Sequence, residues 1–97
     1  MEFPNPEVNI ITIYGKSGCK NCIKVKNYLI ENNVAFKYID YDDYLVEEKK
    51  ALLFFLCEKA KKQIAVFPCV FSNGNFIGGF QEIVVFIKKI NELDDCF

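Results

Sequence analysis

Along this chain the spacing of apolar positions changes several times, and each change predicts an element. Val8 to Tyr14 (VNIITIY) is rich in β-branched residues and too uniformly apolar for a one-sided surface strand. It predicts a buried central strand over 8–14. Gly15-Lys16-Ser17-Gly18 reads as a loop, and from Cys19 the period becomes helical. Cys22, Val25, Leu29 and Ile30 recur at three-to-four spacing, opposite Lys20, Lys24 and Asn27. Asn32-Asn33 supplies a stop. Ala35 to Asp40 predicts a second strand.

The acidic, aromatic stretch from Tyr41 to Tyr44 leads into a helix over 46–62. Leu52, Phe55, Leu56 and Ala60 form its inward stripe, while Lys49, Lys50, Lys59, Lys61 and Lys62 face water. Residues 66–71 read as a strand interrupted at Pro68. Asn73-Gly74 is the pair expected in a tight hairpin, with Phe76-Ile77 as the return strand before Gly78-Gly79. A last helix is predicted over 81–93, with Ile83, Phe86, Ile87, Ile90 and Leu93 on one face. The order is β-α-β-α-β-β-α. Its β-α-β start implies parallel pairing through a right-handed crossover, and the hairpin adds an antiparallel edge. An α/β fold follows, a four-stranded mixed sheet with helices on both faces. Residues 1–97 form a single domain behind an irregular leader, 1–7.

Composition narrows what such a domain does. At 97 residues, 52% hydrophobic and 26% charged, the chain suits one small core and not wholesale disorder. Twelve lysines without an arginine face 13 acidic residues, a net charge of −1. That balance argues against a dedicated nucleic-acid or membrane-surface binder. Without histidine there is neither a His-based acid/base pair nor a His-containing metal site. The reactive side chains are five cysteines: Cys19, Cys22, Cys57, Cys69 and Cys96. Their odd number and uneven spacing do not suit a disulfide-stapled secreted scaffold, and the first residues show no signal-peptide pattern. A reducing cytoplasmic compartment is expected.

Cys19-Lys20-Asn21-Cys22 falls where the first strand hands over to the first helix. Backbone N–H groups at a helix N-terminus stabilise an anion, so a thiolate at Cys19 is favoured and its pKa is expected below the free value of about 8.5. Lys16 and Lys20 act in the same direction. Cys22, one turn on, can close a disulfide with Cys19 reversibly. The blander reading makes the pair two small buried hydrophobes. A zinc site would need Cys57 and Cys69 to converge on the pair, and no metal is expected.

Three segments in order, 14–22 (YGKSGCKNC), 66–68 (VFP) and 73–79 (NGNFIGG), resemble a glutaredoxin, and the resemblance runs from about Val8 to Leu93. It implies a thioredoxin-like fold and a glutathione-dependent thiol–disulfide oxidoreductase. Cys19 would be the nucleophile, Cys22 the resolving thiol, and Lys16 the lysine that assists the thiolate and meets a glutathione carboxylate. Pro68 would be a cis-proline whose preceding residue, Phe67, offers its backbone to glutathione. Gly79 would let the backbone come close, Phe80 and Gln81 would cap the glutamyl end, and Asn21 would flank the ligand. Glutathione is then a co-substrate with no permanent cofactor. The other partners are disulfide-bonded or glutathionylated proteins, and a monomer is expected.

Several positions depart from the family pattern. Lys20-Asn21 stands where the familiar dithiol site has Pro-Tyr, Val66-Phe67 where Thr-Val is usual, and Gln81 where an acidic or hydroxyl residue is common. The monothiol motif Cys-Gly-Phe-Ser is absent. Three alternatives stay open: a thioredoxin-like reductase fed by a flavoprotein, a [2Fe–2S] cluster-binding module, and a thiol-regulated interaction domain. Cys57 and Cys69 read as packing residues and Cys96 as an oxidation liability. The acidic run 40–43 reads as solvated loop, and Phe76, Phe80 and Phe86 as core.

Overall fold

The structure is a computed structural model that describes residues 3–64 and 66–95, with backbone alone from 91 onward. The Leu93 side chain and Cys96 lie outside the described residues. The strands are β1 (Ile11–Gly15), β2 (Phe36–Asp40), β3 (Cys69–Ser72) and β4 (Asn75–Gly78). The helices are α1 (Lys20–Glu31), α2 (Val46–Ala60) and α3 (Phe80–Asp95), with a 3-10 turn at Tyr41–Asp43 before α2. The sheet order is β2-β1-β3-β4. β1 pairs parallel with β2, Gly15 opposite Asp40, and antiparallel with β3, Tyr14 opposite Cys69. This is the four-stranded mixed sheet that the residue pattern predicts.

Alternation along the strands divides the interior in two. Ile11, Ile13 and Val70 face α1 and α3, where they pack with Val25, Leu29, Ile83 and Ile87. Tyr14, Ile39, Cys69 and Phe71 face α2 and meet Leu52 and Leu56. Both faces are therefore covered, which is why the two central strands carry almost no polar side chain. The hairpin forms at Asn73-Gly74, both with positive φ, as its tight turn requires.

Five expectations fail locally. The first strand begins at Ile11, because Val8 and Asn9 turn, Asn9 at φ 67°, and Val8 is left 69% exposed. Ile30 is 61% exposed; it sits about 100° round the helix from Leu29, off the stripe that Cys22, Val25 and Leu29 bury. α2 stops at Ala60 and not Lys62, because Lys61 turns left-handed at φ 59° and Lys62 donates its N–H back to the Cys57 carbonyl. Val66 and Phe67 do not join the third strand, which starts after Pro68, and Val66 is solvent-exposed. On α3, Ile83 and Ile87 are buried while Ile90 reaches solvent. The leader lacks regular structure yet is tied down. The Tyr14 hydroxyl donates to the Pro4 carbonyl at 2.6 Å, and Phe3 packs on Tyr44 and Phe55.

Candidate active site

Cys19 is placed by what ends β1 and what begins α1. Gly15 is buried against the Tyr38 ring, which leaves no room for a Cβ there. The chain then passes through exposed Lys16 and Ser17, and Gly18 turns it at φ 74°. Cys19 follows as the N-cap of α1, with extended backbone, and its Sγ accepts the Cys22 N–H at 3.1 Å. A side-chain cap is ordinarily an oxygen. Here a sulfur holds that position, at the positive end of the helix, where a thiolate is favoured.

Cys19 and Cys22 form a disulfide, with Cα atoms 5.2 Å apart. Cys19 is partly exposed, while Cys22 is buried at 1% beneath it. An incoming group therefore reaches Cys19 first. On the other side, the Phe67 carbonyl oxygen lies 3.7 Å from the Cys19 Sγ, and the Phe67–Pro68 peptide is cis.

Two cavities meet at Val66 and Phe67, which they share as a common wall, and Cys19 lines one of them. One, of about 370 Å³, is lined by Asn21, Phe67, Pro68, Gly79, Phe80 and Gln81, joined by Lys24, Val66 and Glu82. The other, of about 420 Å³, holds Lys16 and Cys19 with Tyr41, Leu53, Ile64, Val66 and Phe67. The residues singled out in the sequence thus converge on one edge of the fold, with Lys16 on the far side of Phe67 from the other binding candidates. Lys20 is exposed and lines neither cavity. A further cavity of about 430 Å³ lies at the opposite end of the sheet, among Asn9, Ile11, Val34, Asn73 and Ile87. No cysteine and no charged side chain lines it.

The groove ends at the start of α3. Gly78 sits at φ 134°, where a Cβ would run into the Glu82 side chain. Gly79 donates its N–H to Glu82 Oε1 at 2.8 Å, and its carbonyl accepts the Ile83 N–H at 3.0 Å. Glu82 was not singled out in the sequence, although the spacing Gly79-x-x-Glu82 is that of a cap and its third helical residue.

Asp42 and Lys49, which the residue pattern leaves as solvated charges, are bonded to each other and to the loop. The Asp42 carboxylate accepts the Ser17 N–H at 2.8 Å and the Lys49 ammonium at 2.9 Å. Asp40, through Oδ1, accepts the Asp42 N–H. The acidic run is thus a fastening between the active-site loop and α2.

Cys57 and Cys69 are packed. Cys69 is buried among Tyr14, Ile39, Leu52, Leu56 and Phe71. Its pKa is pushed up to about 12, by burial first and then by Cys57. Cys57 is half-buried and its Sγ accepts the Ile64 N–H at 3.2 Å. Among the described residues, no group of three or more His, Cys, Asp and Glu side chains is arranged to hold a metal ion. No described helix is long and apolar enough to cross a membrane.

The glutaredoxin family model matches residues 11–77. The chain belongs to the glutaredoxin family. Glutaredoxin 1 from Francisella tularensis, solved with cacodylate, is 32% identical over 84% of this chain and 95% of that one, at TM-score 0.68. Wheat glutaredoxin is 27% identical over 80% of this chain and 70% of its own, also at TM-score 0.68. The buckwheat glutaredoxin–glutathione complex, 21% identical over 95% of this chain and 79% of its own, shares the fold at TM-score 0.69. No curated protein sequence matches the chain. As a glutaredoxin with a Cys19–Cys22 disulfide at the tip of α1, the protein is a thiol–disulfide oxidoreductase of thioredoxin-like fold.

Proposed function

We propose that this glutaredoxin uses glutathione as its electron donor and acts on glutathione mixed disulfides and on protein disulfides. The observation that carries the reading is the groove of Asn21, Phe67, Pro68, Gly79, Phe80 and Gln81, whose Phe67 carbonyl lies 3.7 Å from the partly exposed Cys19 sulfur. A peptide-like ligand lying there has backbone from Phe67 on one side and the N-terminus of α3 at its end, which suits a carboxylate. Lys16, in the adjoining cavity with Cys19, supplies a cation for a second carboxylate.

In the cycle, the Cys19 thiolate attacks the glutathione sulfur of a mixed disulfide. A Cys19–glutathione disulfide forms, and the substrate leaves as a thiolate. A second glutathione thiolate then attacks the glutathione sulfur, which releases glutathione disulfide and restores the Cys19 thiolate. In the dithiol branch, Cys19 attacks a protein disulfide and Cys22 displaces the product, leaving the Cys19–Cys22 disulfide seen here. Two glutathiones reduce it and leave as glutathione disulfide, so two electrons pass per turnover.

The test is a glutathione-coupled disulfide reduction assay on the wild type and two variants. Cys19→Ser loses both activities. Cys22→Ser keeps deglutathionylation and loses dithiol reduction of protein disulfides. Turnover with a flavoprotein reductase and none with glutathione would replace this donor assignment.

A further inference from the structure

The loop between β1 and α1 carries Lys16 and ends on Cys19, yet residues 16–18 are all exposed. Packing does not hold such a segment, so its position depends on specific bonds. The Ser17 N–H, two residues before Cys19, donates to Asp42 Oδ2 at 2.8 Å. The other carboxylate oxygen, Oδ1, accepts the Lys49 ammonium at 2.9 Å. Lys49 belongs to α2 and also lies over the Tyr41 ring, 5.1 Å from its centroid. The Tyr41 ring packs on Phe67 with centroids 5.0 Å apart, and the Phe67 carbonyl faces the Cys19 Sγ. These contacts close a circuit around the cavity that Lys16 and Cys19 share, and Asp42 is its hub.

We propose that Asp42, locked by Lys49, is a positioning residue for the Cys19 nucleophile. It fixes loop 16–18 and so holds Lys16 and the tip of α1 against the sulfur. This rests on Cys19 being the attacking thiol. Two charge effects oppose each other. A bare carboxylate near the loop would disfavour a thiolate, but Lys49 neutralises it at hydrogen-bonding distance. The hold on the loop therefore outweighs the residual charge. Lys49 first, then Ser17, keeps the Asp42 carboxyl below the usual carboxylate range, so the clamp is intact at neutral pH and opens only in acid. The charged and titratable groups around it are Asp40, Tyr41 and Asp43 in its own segment, Lys49 from α2 and Tyr38 from β2.

The experiment compares full-length wild type with Asp42→Ala, Asp42→Asn and Lys49→Met. It reads the pH profile of Cys19 alkylation in the reduced protein, and KM for the mixed disulfide of glutathione with a small thiol. Asp42→Ala is expected to shift the profile about half a unit upward, so that Cys19 alkylates about threefold more slowly below its midpoint, and to raise KM. Asp42→Asn, which keeps an acceptor for Ser17, recovers most of both. Lys49→Met moves the profile in the same direction as Asp42→Ala, because it leaves the carboxylate loose and uncompensated. If Asp42→Ala does not fold, Asp42→Asn and Lys49→Met still decide between these outcomes. A wild-type profile and KM in Asp42→Ala or Lys49→Met overturns the proposal, as does an Asn variant as impaired as Ala. Cys19→Ser separates the two readings. Turnover surviving in it overturns the functional assignment, whereas turnover lost there beside an unaltered Asp42→Ala overturns the clamp alone.

Discussion

Cys19 and Cys69 are the same side chain placed on either side of the Phe67–Pro68 peptide, in opposite environments. Cys19 caps a helix, partly exposed, with a backbone N–H aimed at its sulfur. Cys69 follows Pro68 directly but points into the α2 face of the core, 1% exposed, with the Val66 carbonyl 3.4 Å from its sulfur. Both sulfurs have a carbonyl oxygen nearby, so the carbonyl does not separate them; an apolar shell disfavours a negative sulfur, whereas a helix N-terminus favours one. Nearness to the site in sequence thus says little about reactivity. What decides it is whether a helix N-terminus meets the sulfur, and whether water reaches it.

The largest effect expected from this contrast is in turnover. Cys19→Ser is predicted to lose at least about a thousandfold in the glutathione-coupled assay, because an alkoxide cannot replace a thiolate as nucleophile at neutral pH. Cys69→Ala is expected to keep activity within about twofold, its cost falling on packing instead. Comparable loss in both variants would show that Cys69 takes part in the chemistry and would break the comparison.

Alkylation sharpens it further. With a pKa of about 12, only about 10⁻⁵ of the Cys69 thiol is ionised at pH 7. Brief iodoacetamide treatment of the reduced native protein is expected to label Cys19 and leave Cys69 unlabelled until denaturant is added. Mass spectrometry of the peptides reads this directly. Labelling of native Cys69 at the Cys19 rate would contradict its burial.

Much of this arrangement was legible in the residue pattern. β1, the Asn73-Gly74 hairpin and the buried stripe of α1 depend on local sequence, and so did the placement of Cys19 at a strand-to-helix junction. What was not legible depends on residues far apart along the chain. Val8 looks like strand, but the chain turns at Asn9, whose N–H meets the Asn73 side chain 64 residues on. Asp42 and Lys49 look like solvated charges on a loop and a helix. Their role appears only once β1 and β2 lie in register and bring Ser17 beside the acidic turn. Glu82 differs, since its capping spacing was present in the sequence.

A smaller effect lies on the alkaline side. The Cys69 pKa is raised from 9.0 to about 12 in the folded state, so its neutral form is the one that the fold favours. That contribution to stability is fully present below pH 9 and is lost as pH rises toward 12. Wild type is therefore expected to lose stability more steeply than Cys69→Ala between pH 9 and 12, read as urea midpoints along a pH series. Parallel slopes would mean that Cys69 ionises as freely in the folded chain as in the unfolded one.

The smallest effect tests the residue paired across from Cys69. Tyr14 faces it in the β1–β3 register, on the same face of the sheet, and burial likewise drives its pKa up. Unlike Cys69, Tyr14 carries its polar atom to the edge of that cluster, where the hydroxyl donates to the Pro4 carbonyl. Tyr14→Phe keeps the ring and its edge-on contact with Phe71 and removes that one bond. A neutral hydrogen bond of this kind contributes about 1 kcal/mol, so a drop of a few degrees in Tm is expected, with alkylation of Cys19 unaltered. The leader is expected to loosen as well, which limited proteolysis ahead of Ile11 would report. An unchanged Tm and an equally protected leader would show that Phe3, packed on Tyr44 and Phe55, holds the segment without the hydroxyl's help.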